Sequence, residues 1–192
     1  MKALSVKPPW AQFIIFGIPV MEAVNNADGS QSVKYSGKGI YKDVENRSWP
    51  VGRHSQHGPY SSYHRANFKI ELPQRIYIHA SKKEDKFEDV LEFCCRKLRL
   101  PPGIILTMSS PLLGRGAIIG EVDIVDCVTD SKSAWAVSGQ YHFILANPQG
   151  YKEPVACRGQ LGFFDIPEAT VTEINALKEK WSTKPNTNCA PV

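Results

Sequence analysis

Lys42-Asp43-Val44-Glu45-Asn46-Arg47-Ser48-Trp49 is the stretch on which the reading of this chain turns. It reads as a strand, and it packs Lys42, Glu45, Arg47 and an indole into a few residues. If those three charged groups emerge near one edge, they form a compact cluster suited to gripping a phosphate or polarising an amide. The bland alternative is a solvated strand edge carrying weak ion pairs, each worth about 0–1 kcal/mol.

The neighbouring residues shift that balance. Phe16-Gly17-Ile18 closes a short apolar segment, whereas residues 19–41 are polar, rich in Gly, Ser and Asn, and without periodicity. They read as an insertion. Setting them aside brings Gly17-Ile18 directly before Lys42 and regenerates the pattern GxKxxExR from Gly17, Lys42, Glu45 and Arg47. Gly39-Ile40-Tyr41-Lys42 offers a second alignment, one residue out of step, in which only the glycine changes.

With that pattern the chain resembles the ASCH family of small PUA-like domains. Further segments agree: Leu4-Ser5-Val6-Lys7-Pro8-Pro9-Trp10, Ile76-Tyr77-Ile78-His79-Ala80-Ser81-Lys82, and Gly114-Arg115-Gly116-Ala117-Ile118-Ile119-Gly120-Glu121-Val122. Together they run from residue 4 to about residue 166. The resemblance implies an α+β fold, a PUA-like β-barrel of about five to six strands with flanking helices. It also implies a cleft that carries the signature residues and handles RNA or a modified nucleoside. Members of the family include metal-independent ribonucleases acting on single-stranded RNA, amidohydrolases that remove the acetyl group of N4-acetylcytidine, and modules that only bind RNA. The amidohydrolases carry threonine where this chain has Glu45, which counts against that activity here.

The bulk numbers fit one domain. The chain has 192 residues, 42% of them apolar, enough for one core rather than two. We read residues 1–181 as that domain, with insertions at about 19–41 and 50–74, and residues 182–192 as a flexible tail. A run of about 18 apolar residues and a secretory leader are both lacking, so a soluble, cytoplasmic protein with no membrane partner is expected. The net charge of +4 is too mild to announce nucleic acid, though it permits an acidic partner at a local patch. Five cysteines without a CxxC spacing support neither a disulfide framework nor a zinc site. No cofactor and no metal is expected.

Along the chain, residues 2–7 read as a strand, and Pro8-Pro9 opens a helix through Trp10, Phe13 and Ile14 that stops at Gly17. Residues 42–49 and 75–80 read as strands. Ser81 and Glu84 make a capping box for an amphipathic helix at about 84–99, with the stripe Phe87, Val90, Leu91, Cys94, Cys95, Leu98, ended by Pro101-Pro102-Gly103. Residues 104–113 are ambiguous. Strands follow at about 116–128, 140–147 and 160–166, then a helix at about 170–181 whose box is Thr170 to Glu173 and whose apolar face is Val171, Ile174, Leu177 and Trp181.

Residues 50–70 hold Arg53, Arg65, Lys69, three histidines and several aromatics, with no acidic residue. That composition suits single-stranded nucleic acid or simply a mobile surface loop. His54 and His57 without a helix or carboxylate make poor metal ligands.

Lys42 is the first candidate for catalysis. Partly desolvated beside other cations, its amine serves as base or nucleophile; if charged, it clamps phosphate or stabilises an oxyanion. Glu45 would hold Lys42 or exchange protons, Arg47 would fork onto phosphate, and Tyr41 or Ser81 would supply a hydroxyl. Lys7, Trp10, Trp49, Arg53, His79, Lys82 and Arg158 complete the expected nucleic-acid contacts. For each a plain alternative stands: an ion pair at a strand edge, a helix cap at Ser81, core packing for the tryptophans.

Overall fold

In the computed structural model, residues 1–52, 70–101 and 114–183 are described. The first strand, β1 (Lys2–Val6), alternates, so that Leu4 and Val6 enter one apolar cluster and Ala3 another. Pro8 and Pro9 have no N–H for a ladder, and α1 (Trp10–Ile15) starts straight after them. Gly17, at φ +71°, ends it in a conformation that side chains with a Cβ rarely adopt.

Next come β2 (Ile18–Asn25) and β3 (Gln31–Ile40), which pair only with each other. The stretch read as an unpatterned insertion is therefore an antiparallel hairpin. Its polar composition reflects exposure: most of β2 faces solvent. Ile18 pairs with Ile40, so the chain leaves and returns at one point. Lys42 thus sits beside the end of α1, and its N–H donates to the carbonyl of Phe13 at 2.9 Å.

The remaining elements are β4 (Val44–Arg47), β5 (Gln74–Ala80), α2 (Phe87–Lys97), β6 (Ala117–Val128), β7 (Tyr141–Ala156), β8 (Phe163–Asp165) and α3 (Glu168–Thr183). The six strands outside the hairpin form one curled mixed sheet, a half-barrel, in the order β4-β7-β6-β5-β1-β8. Only β1 and β5 pair in parallel. The long β7 continues past Pro148 because three register shifts against β6, two with the extra residues on β7 and one with the extra residue on β6, let the pair bend.

Three apolar clusters hold these layers. Leu4, Ile78, Ile119, Phe143 and Phe163 fill the inside of the curl. Ala3, Tyr77, Phe164 and Ile174 lie between the sheet and α3, which adds Val171, Leu177 and Trp181 as expected. Phe13, Ile18, Val44, Val90, Cys94 and Trp135 join α1, α2 and β4. At the open seam between the sheet's edge strands, Trp49 packs edge-on to Phe143 and Phe163, with centroids 5.2 and 5.5 Å away. Among the described residues no helix is long and apolar enough to cross a membrane.

Both capping-box readings fail. α2 begins three residues late, with Lys86 at its N-cap and no side-chain cap. The reason is tertiary: the Asp85 N–H is already bound to the Pro8 carbonyl at 3.1 Å, which holds the chain extended beyond Ser81. The Ser81 hydroxyl donates to the Lys83 carbonyl instead. α3 begins early, because the Pro167 carbonyl accepts from Thr170 and Val171 and opens the helix itself. Arg53, His54, His57 and the span 104–113 lie outside the described residues, as do residues 184–192 of the expected tail.

Since the hairpin leaves and re-enters at one paired position, replacing residues 19–39 with an Asn-Gly turn should preserve the sheet. The expected result is an unchanged near-ultraviolet circular dichroism spectrum and a melting temperature within about 5 °C of the parent. Loss of cooperative unfolding would show that the hairpin is integral to the core.

Candidate functional site

The seam of the half-barrel opens into a cleft of about 1310 Å³. It lies at the C-terminal ends of the parallel pair β1 and β5, where both chains turn out of the sheet. Lys42, Glu45 and Arg47 form its floor.

Alternation on β4 turns Val44 toward the α1–α2 cluster and Glu45 and Arg47 toward the seam. Lys42 is 4% exposed, and its Nζ donates to Glu45 Oε2 at 2.5 Å and to the Val44 carbonyl. Arg47 Nη2 donates to Glu45 Oε1 at 2.8 Å and to the Ser5 carbonyl at 2.9 Å. One carboxylate therefore holds two cations, and the second cation ties edge strand β4 to β1. The guanidinium also lies over the Trp49 ring, 5.8 Å from its centroid.

Burial sets the protonation of this cluster. It pushes the Lys42 amine below its ordinary value, against the pull of Glu45. It would raise the Glu45 carboxyl, but Lys42 and Arg47 together outweigh it and hold Glu45 below the usual carboxylate range.

One wall is built around His79, which is 2% exposed. A carbonyl only accepts, so Nε2 donates to the Cys157 oxygen at 3.1 Å and Nδ1 accepts from the Ser5 hydroxyl at 3.1 Å. Burial lowers its pKa, only partly offset by the Cys157 bond, so the ring is neutral at pH 7. Gly159 lies flat on that ring: a Cβ there would stand 2.2 Å from His79 Cε1. On the opposite rim, Asp85 binds Lys7 and accepts the Trp10 indole N–H at 2.7 Å, fixing the indole against Phe13 and Phe93. Lys82, Lys83 and Arg158 are exposed on the rim and make no ion pair among the described residues.

The cleft thus gathers Lys7, Trp10, Lys42, Glu45, Arg47, His79, Ser81, Lys82 and Arg158 from the sequence expectations. Two residues stand elsewhere. Tyr41 is 45% exposed, with its ring against Gly39, and Trp49 is packed at the seam. Sequence reasoning missed Ser5, Asp85, Gln140, Gly159 and Leu161. Only Gly159 carried a signal, as a glycine between the expected contact Arg158 and the strand read at about 160–166. Among the described residues no cluster of His, Cys, Asp and Glu could hold a metal ion.

No protein-family profile and no curated protein matches this chain.

Because Glu45 titrates below its ordinary value of 4.5, the folded state binds fewer protons than the unfolded chain just below that pH. The stabilisation is complete above 4.5 and is lost as pH falls through the lowered value. Replacing Glu45 with Gln should therefore flatten the acid limb of a stability–pH profile. Glu45→Ala, which strands Lys42, should cost about 3–5 kcal/mol in chemical denaturation at pH 7.

Proposed function

We propose that this chain is an RNA-binding domain of the ASCH type, with a PUA-like architecture, and that single-stranded RNA occupies the cleft. The observation that carries the reading is the convergence of Lys42, Glu45 and Arg47 with a cationic rim and an indole in one open trough. At about 1310 Å³ the trough exceeds the roughly 300–1,000 Å³ of ordinary small-molecule sites, which favours an extended ligand over a lone nucleoside. Lys82, Lys83 and Arg158 supply phosphate contacts from exposed positions. Trp10 offers a fixed aromatic surface to a base, and Arg47 and Gln140 supply donors deeper in.

The test is binding of a short single-stranded oligoribonucleotide at several salt concentrations. Affinity should fall linearly with the logarithm of salt. Each of Lys82→Ala and Arg158→Ala should reduce the slope by about 0.7, as expected for one phosphate contact on a single strand. Binding that is absent, or insensitive to salt, removes the reading.

One observation favours a second, catalytic reading of the same site. Lys42 is a buried amine whose pKa burial holds below the ordinary value against the pull of Glu45, so giving up its proton costs less than it would for an exposed lysine. In that reading Lys42 takes the proton of a ribose 2′-OH. The 2′-oxygen attacks the adjacent phosphorus, and the 5′-oxygen leaves with a proton, giving a 2′,3′-cyclic phosphate without a metal. Incubation of RNA in EDTA should then yield fragments with cyclic termini, and Lys42→Ala should abolish them. Intact RNA that stays bound assigns a non-catalytic module. Release of cytidine from N4-acetylcytidine assigns the amidohydrolase alternative.

A further inference from the structure

Leu161 is 94% exposed, whereas the next most exposed large apolar side chain among the described residues, Met1, is 49% exposed. A leucine this open usually sits on a segment free to fold it away. Here the segment is pinned. At one end the Cys157 N–H donates to the Gly116 carbonyl at 3.2 Å, and the Cys157 carbonyl accepts from His79. In the middle, Gly159 is seated on the imidazole with no room for a Cβ. At the other end the Gly162 carbonyl accepts from the Ser5 N–H at 3.2 Å.

The loop between β7 and β8 is therefore a preformed arm, held by the same Ser5 and His79 that line the cleft. It lines that cleft with Arg158, Gln160 and Leu161. A cation, an amide and an apolar side chain within four residues offer the three contacts that an unstacked nucleotide requires: phosphate, base edge and base face.

Resting on the RNA-binding reading above, we infer that Leu161 is the base-face contact of this cleft. It packs against an unstacked base of the bound strand while Arg158 takes the neighbouring phosphate. His79 and Gly159 are positioning residues for the arm. The charge around Leu161 favours this occupant over a protein partner, because Lys82, Lys83 and Arg158 share its rim and would repel the cationic surfaces that ordinary proteins carry as often as acidic ones.

The test compares two oligomers of equal length and charge, a single-stranded oligouridine and its abasic ribose-phosphate analogue, by fluorescence anisotropy. Leu161→Ala removes an exposed side chain, so its thermal melt should match the wild type. It should weaken oligouridine binding about tenfold while leaving the abasic oligomer and the salt slope unchanged. Leu161→Phe, which keeps an apolar face, should restore or tighten oligouridine binding. Equal weakening on both oligomers, or no weakening, overturns the role of Leu161 while leaving RNA binding intact, as shown by the Lys82→Ala effect. If the wild type binds neither oligomer, both readings fall together. Loss of a co-purifying protein with Leu161→Ala, at unchanged RNA affinity, assigns the arm to a protein interface and also overturns the inference.

Discussion

The architecture of the cleft depends on one carboxylate. Glu45 is buried, and both its oxygens are taken, one by Lys42 and the other by Arg47. Burying three charges is expensive unless each is neutralised and hydrogen-bonded. Here the Val44 carbonyl also accepts from Lys42 and the Ser5 carbonyl from Arg47 Nη2, while the buried Arg47 Nε has no hydrogen-bond partner among the described residues. The cluster also has a mechanical consequence. Edge strand β4 makes ladder bonds only to β7, and the guanidinium of Arg47 is what links it across the seam to β1. The curl of the sheet and the floor of the cleft are thus the same interaction.

Around that floor the chain fixes polar groups by different means on the two sides. On one side, the Asp85 carboxylate accepts from both Lys7 and Trp10 and sets the indole at the rim. On the other, a neutral His79 donates to the β7–β8 loop and accepts from Ser5. Cations that are not committed to such pairs, Lys82, Lys83 and Arg158, are the ones left at the surface. These exposed cations above a fixed indole are what support the proposed binding of RNA.

The apolar periods were legible where one element buries one face. The face Val171, Ile174, Leu177, Trp181 of α3 lies where its spacing put it, and so does the stripe of α2 except at Cys95, which stays outside the apolar cluster while Phe93 joins it. Boundaries were less legible, because they were set by partners distant in sequence: the Pro8 carbonyl for α2 and the irregular pairing with β6 for the length of β7. The hairpin of β2 and β3 escaped notice because a two-stranded ribbon exposed over most of its surface has no buried face to impose alternation.

The sequence alone determined that two cations and a carboxylate, Lys42, Arg47 and Glu45, lie within six residues; because side chains alternate along a strand, that spacing left open whether they meet. Only the tertiary structure decided that these charges are buried, that the interruption closes on itself at Ile18 and Ile40, and that Ser5, His79 and Gly159 converge on the loop bearing Leu161. Those facts depend on contacts between segments far apart in sequence: strand pairing joins Lys2 to Asp165, and a side-chain hydrogen bond joins His79 to Cys157. Local pattern carries no record of such distances, because pairing energy is shared among many alternative registers until the core selects one.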